Sequence, residues 1–136
     1  MGRGDGAEAA KVGEVRAGIG PEVQLMIDSN HACALREALD LARRVEELDI
    51  AWFEEPCNWE DFEATRAVAA NVQLPIAGGK NESSWPRCRW LLENCALDIA
   101  HPDLLSTGGW CRSLHVPHLA RQPVAPSSRP PPPHTP

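Results

Sequence analysis

Between residues 23 and 103 short apolar, β-prone runs alternate with segments of helical period, and each run closes near an ionisable side chain. The runs are VQLMID (23–28), IAWFEE (50–55), LPIA (74–77) and ALDIAHPD (96–103). Between them lie LREALDLARRVEEL (35–48), WEDFEATRAVAA (59–70) and WPRCRWLLEN (85–94), and a further helical stretch, AEAAKVGEVRAG (7–18), precedes them all. In the first intervening segment Leu35, Ala38, Leu39, Ala42 and Val45 share one helical face. The acidic start of WEDFEATRAVAA suits the positive end of a helix dipole, and Pro86 is tolerated in a first helical turn. Gly20-Pro21 opens the first strand and Pro56 closes the second. Strands that alternate with helices of this length predict βαβ units, and near-continuous apolar strands predict a parallel sheet with covered faces. The expected class is therefore α/β.

The ionisable residues at the strand ends are Asp28, Glu54, Lys80 and Asp103, at intervals of 26, 26 and 23 residues. Each repeat unit thus delivers one charge to the C-terminal edge of the sheet, where parallel α/β folds bind their ligands. Taken singly, each has a plainer explanation. Asp28 with Asn30 makes an Asx turn, and Glu54-Glu55-Pro56 makes a solvated loop start. Jointly, carboxylates on neighbouring strands repel unless a cation lies between them, and a hard divalent ion with oxygen ligands, Mg²⁺ above all, answers that need.

The rest of the chain narrows the classes. A formal charge of −6 and a pI near 5.3 argue against a surface built for nucleic acid. No apolar run is long enough to span a bilayer, and MGRGDGAEAAK has no apolar secretory core, so a cytoplasmic protein without membrane contact is expected. GRGD at residues 2–5 is too short a motif to indicate cell adhesion. Five cysteines without a CxxC pair read as free thiols. Cys111, His115 and His118, with Cys95 or His101, fit no common zinc spacing. From Pro117 onward the chain holds eight of its thirteen prolines, which predicts an irregular, disordered tail. The expected division is a domain over residues 1–111 and a Pro-rich tail over 112–136.

Four motifs in order, MIDSNHA (26–32), WFEEP (52–56), PIAGGKNE (75–82) and DIAHPDLLSTGG (98–109), resemble the enolase superfamily. The likeness is to the mandelate racemase and muconate lactonizing enzyme group with its sugar-acid dehydratases, over about residues 2–109. It implies a partial TIM-type (β/α)₇β barrel of about four consecutive βα units. It also implies Mg²⁺ held by acidic residues on consecutive strands, a small carboxylate substrate such as a sugar acid, and removal of the proton α to that carboxylate. On this resemblance Asp28 and Glu54 match two metal ligands, and Asn30 matches a polar partner. Asp103 matches an aspartate that orients a catalytic histidine.

The sequence departs from that pattern. Lys80 stands where the third carboxylate ligand is expected, and one base change converts a Glu codon to Lys. The only lysines are Lys11 and Lys80, so the group's Lys-x-Lys base has no counterpart. The sequence after Gly109 does not resemble the group, which suggests a shifted reading frame or a truncated gene, and His115 and His118 come too soon for the dyad histidine. The capping domain has no counterpart either. Two expectations follow. One is a lyase- or isomerase-type enzyme, impaired in this chain. The other is a non-catalytic fragment or an interaction module that uses open sheet edges, marginally stable and able to pair as a homo-oligomer. A Schiff-base role for Lys80 is a third, remote reading.

Overall fold

The computed structural model describes residues 5–106 and residue 109. The expected boundary at residue 111, the tail over 112–136, and Cys111, His115 and His118 lie outside the described residues. Four strands, β1 (Leu25–Asp28), β2 (Ile50–Glu54), β3 (Ile76–Gly78) and β4 (Ile99–Ala100), alternate with four helices. The helices are α1 (Asp5–Ile19), α2 (Leu35–Val45), α3 (Phe62–Asn71) and α4 (Trp85–Glu93). The strands form one parallel sheet in the order β1-β2-β3-β4. Sequential parallel order with right-handed crossovers puts the connecting helices on one face, which is the arrangement of a barrel wall rather than of a doubly wound sheet.

Local chemistry explains where the elements stop. The Glu37 carboxylate accepts from the Ala34 backbone N–H at 2.8 Å and starts α2. A 3₁₀ turn (Glu46–Leu48) ends that segment, and Asp49, left-handed at φ 50°, turns the chain into β2. Asp61 caps α3 by accepting from the Ala64 N–H at 2.9 Å. The Arg16 guanidinium donates to the carbonyls of Leu48, Asp49, Gly20 and Val23 at 2.6–2.9 Å. It thereby ties the end of α1 to the entry of β1 and β2.

The core lies between sheet and helices. Ala38, Ala42 and Val45 of α2 pack with Ile50 and Phe53 of β2, Ala64, Val68 and Ala69 of α3, and Ile76 of β3. Leu39 packs partly buried against this cluster, but Leu35, on the same predicted stripe, is 37% exposed. Leu25 and Ile27 of β1 face the helices, whereas Met26 and Asp28 face the other way and are exposed. Register pairs Ile27 with Phe53 and Asp28 with Glu54, so each carboxylate lies on the face away from the helices.

Candidate functional site

The ends of β1 and β2 are zipped together beyond the last strand residue. The backbone N–H groups of Ser29, His31 and Cys33 donate to the carbonyls of Glu54, Glu55 and Pro56. The Ser29 hydroxyl donates to the Glu55 carbonyl at 2.8 Å. Holding the loops this close forces three side-chain-bearing residues into the left-handed region: Asn30 (φ 46°), His31 (φ 65°) and Glu55 (φ 45°). Each such conformation costs roughly 1 kcal/mol or more, and such strain gathers at functional sites.

On this frame Asp28, Glu54 and Lys80 converge. Lys80 Nζ lies 3.3 Å from Asp28 Oδ2, 3.9 Å from Glu54 Oε1 and 3.0 Å from Glu55 Oε2. Lys80, expected at the position of the third ligand, thus lies among the two rim carboxylates and a further one, Glu55, which is the nearest of the three. Glu55 has a side chain only 1% exposed. Its Oε2 is also 3.0 Å from His31 Nε2. These are ion contacts without aligned hydrogen bonds, and Oε1 has no hydrogen-bond partner among the described residues. His31 Nδ1 lies 3.0 Å from the Cys57 carbonyl. His31 Nε2 is also 2.8 Å from the Asn81 amide nitrogen, so its one proton position serves only one of its two neighbours. The Glu55 carboxylate, first, and Asp28 after it hold the Lys80 ammonium above its ordinary pKa, with burial opposing them.

Two further residues belong to the cluster: Trp52, and His101, weighed from sequence only as a zinc ligand. His101 Nδ1 is 3.4 Å from Glu54 Oε1, and its ring meets Trp52 edge-on at 5.5 Å. The Trp52 indole N–H points at Glu54 Oε2 at 3.3 Å. The adjacency of Glu55 to Glu54, and of His101 to the Asp103 motif, was the available signal. What concealed Glu55 is that neighbouring residues in a strand point to opposite faces until a bend redirects one.

Asn30 is exposed, and its backbone N–H donates to Asp28 Oδ1 at 2.7 Å, the geometry of an Asx turn. Asp103 is not in the cluster. It is exposed, and its Oδ1 accepts from the N–H groups of Leu105 and Ser106 at 2.7 and 3.0 Å. Those bonds, that of Ser106 first, pull its carboxyl below the usual range. Glu82, two residues after Lys80 in the motif, turns away and meets Arg87 at 2.9 Å.

Mg²⁺ takes oxygen ligands at about 2 Å in near-octahedral geometry. An ion shared by Asp28 and Glu54 would compete with the Lys80 ammonium, which already lies within 4 Å of both. The like charge of the ammonium would oppose the ion there. Among the described residues no three His, Cys, Asp or Glu side chains are gathered as a metal-ligand set. As arranged, the residues do not fit the divalent ion.

The model of the family described as enolase C-terminal domain-like matches residues 2–128. D-galactarolactone cycloisomerase of Agrobacterium fabrum is 37% identical over 109 residues, which are 80% of this chain and 29% of that protein. L-talarate/galactarate dehydratase of Salmonella typhimurium is 32% identical over 106 residues, 78% of this chain and 27% of that protein. Among solved structures, 3,6-anhydro-D-galactonate cycloisomerase of Zobellia galactanivorans superposes with a TM-score of 0.82 at 37% identity, over 89% of this chain and 34% of that one. L-talarate dehydratase of Polaromonas sp. JS666, complexed with Mg and L-glucarate, gives 0.83 at 30% identity over 88% and 33%. The chain spans about a third or less of the length of these relatives.

Proposed function

The chain belongs to the enolase C-terminal domain-like family, and from that premise we propose that it carries the acidic rim of a barrel whose chemistry is removal of the proton α to the carboxylate of a hydroxy or sugar acid. We infer further that in this chain Lys80 closes that rim to the divalent ion. Asp28 and Glu54 hold the two retained ligand positions, and Lys80 the altered third. Asn30 holds the position of their polar partner, and Asp103, outside the cluster, that of the aspartate which orients a catalytic histidine in the family. The names of the similar proteins, a galactarolactone cycloisomerase and a talarate/galactarate dehydratase, support the substrate class. The observation that carries the reading is the ammonium of Lys80 within 4 Å of three carboxylates. A divalent ion held at such a rim by Asp28, Glu54 and a third carboxylate would supply electrostatic stabilisation of the charge that this chemistry creates. With Lys80 in its place the 136-residue polypeptide is non-catalytic in that reaction.

Calorimetric titration with Mg²⁺ tests this. The parent chain is expected to give no saturable heat, whereas Lys80→Glu should gain affinity by at least about tenfold, because a third oxygen ligand replaces a cation. That gain should vanish with Asp28→Asn or Glu54→Gln. Parent binding as tight as that of Lys80→Glu would overturn the reading.

The uncovered sheet face favours a second role, pairing with another copy. Met26 is 44% exposed on that face, and among the described residues no strand lies beyond β1 or β4. Two four-stranded walls joined β4 to β1 would close an eight-stranded parallel barrel and cover both edges. Sedimentation of the purified chain should therefore show a dimer. A monomer with a sharp, reversible thermal transition would exclude it.

A further inference from the structure

We propose that Arg87 is a positioning residue that sets where Lys80 stands relative to Glu54 and Glu55, acting through the buried carboxylate of Glu82. The inference rests on the rim reading above only in taking Lys80 as the residue whose place matters.

Lys80 sits in the loop between β3 and α4. The loop turns at Gly79, left-handed at φ 104°, and closes with the Glu82 N–H donating to the Gly79 carbonyl at 3.2 Å. Its anchor is Glu82, which is only 3% exposed and carries a carboxylate beneath the loop. Such a group needs a cation. Arg87, in the first turn of α4, supplies it, with Nε 2.9 Å from Glu82 Oε2. The rest of the Arg87 side chain reaches the other loop of the rim. Its guanidinium donates to the Trp59 carbonyl at 3.1 Å and lies over the Trp59 and Phe62 rings at 4.7 and 4.3 Å. Trp59 and Phe62 follow Glu54-Glu55-Pro56 and lead into α3. One planar cation therefore joins the loop that presents Lys80 to the loop that follows Glu54 and Glu55.

Burial pushes the Glu82 carboxyl up, and Arg87 opposes that push. Without Arg87, Glu82 is left charged and buried without a partner, which is strongly unfavourable. The carboxylate then takes a proton or turns out to water, and the loop that bears Lys80 moves with it. Lysine in place of Arg87 keeps the charge but loses the planar fork that contacts the carboxylate, the carbonyl and the rings together.

The chain has only two lysines, so limited acetylation with an amine reagent, read by mass spectrometry, reports Lys80 against Lys11 as an internal standard. In the parent, Lys80 is held by carboxylates and should react more slowly than the exposed Lys11. Arg87→Met should raise the Lys80-to-Lys11 ratio by at least about threefold, and Arg87→Lys by less, because the loop opens locally while the sheet stays folded. Val68→Ala, a core change remote from the loop, serves as the control for general loss of stability and should leave the ratio unchanged. If Arg87→Met is too unstable to purify, Arg87→Lys carries the test alone. An unchanged ratio in the purified Arg87 variants, or an equal rise in Val68→Ala, would overturn the proposal. No metal enters the measurement, so failure of the Mg²⁺ titration would leave this result readable on its own.

Discussion

The second and fourth strands end in opposite ways. After β2 the chain passes through Glu55 in a strained left-handed conformation, and the carboxylate is drawn inside against Lys80 and His31. After β4 the chain passes through Pro102 to Asp103, whose carboxylate stays in solvent and spends its acceptor on the backbone N–H groups of Leu105 and Ser106. Both residues are acids at the same edge of one sheet. The difference lies in what surrounds them. β2 is an inner strand with loops on both sides to zip against, and β4 has no described neighbour beyond it. An edge position supplies an acid with an address, and flanking strands supply it with partners.

The largest test of that contrast removes the inner acid. Glu55→Ala takes away the buried partner of Lys80 and His31 and keeps the strained backbone. A loss of about 2–3 kcal/mol is expected, at the low end for a buried pair because Lys80 can relax into water. Urea denaturation measures it, and a midpoint equal to that of the parent would show that Glu55 is not held by these contacts.

Less is at stake in Asp28→Asn. The amide oxygen can still accept the Asn30 N–H, so the turn survives and only an ion pair is lost. Asp28 and Lys80 are both more than a third exposed or close to it, so solvent screens the pair and about 0–1 kcal/mol is expected. If this change costs as much as Glu55→Ala, the inner and outer acids of the cluster are not distinct.

These tests bear on what the sequence could disclose. The alternation of strands and helices was legible because apolar period is local, and the four strands, their parallel order and their helices follow it. Their ends were less so: VQLMID shortens to Leu25–Asp28 and ALDIAHPD to Ile99–Ala100, since only residues with a neighbouring strand at matching register stay paired. The spacing brought Asp28, Glu54 and Lys80 to one place. It did not bring Asp103, because a constant interval fixes which edge a residue reaches and not where the following loop points. Glu55 and His31 were hidden because their inward turn depends on long-range zipping between the first two loops, and His101 because it is placed by its N–H donating to the Gly78 carbonyl across β3. The thiol reading concerns packing and was simpler. Among the described residues Cys33, Cys57, Cys88 and Cys95 form no disulfide, and burial, with Cys33 and Asp61 adding to it, pushes the Cys57 thiol up to about 11, so it should alkylate slowly at neutral pH.

At alkaline pH the cluster should weaken. The Lys80 pKa is raised in the folded chain, so the folded state binds its proton more tightly than the unfolded state does. That contribution is fully present below the ordinary value of 10.5 and is lost as pH rises through the higher folded value. Stability measured against pH should therefore fall above that point in the parent. Lys80→Met should remove this part of the fall, and a curve of unchanged shape would mean that Lys80 is not held by its neighbours.

The smallest effect belongs to Asp103. Its carboxyl is held below 3.8 by the N–H groups of Ser106 and Leu105, so the unfolded state binds the proton more tightly than the folded one. The stability this adds is present above the ordinary value and is lost as pH falls through the lower folded value. Near neutral pH, Asp103→Asn keeps an acceptor for the same N–H groups and should leave the unfolding midpoint where it was. Asp103→Ala, which removes the acceptor, should shift the midpoint only slightly, because the freed N–H groups sit at an exposed turn and find water. A shift as large as that of Glu55→Ala would place Asp103 among the buried acids and erase the difference between the two strand ends.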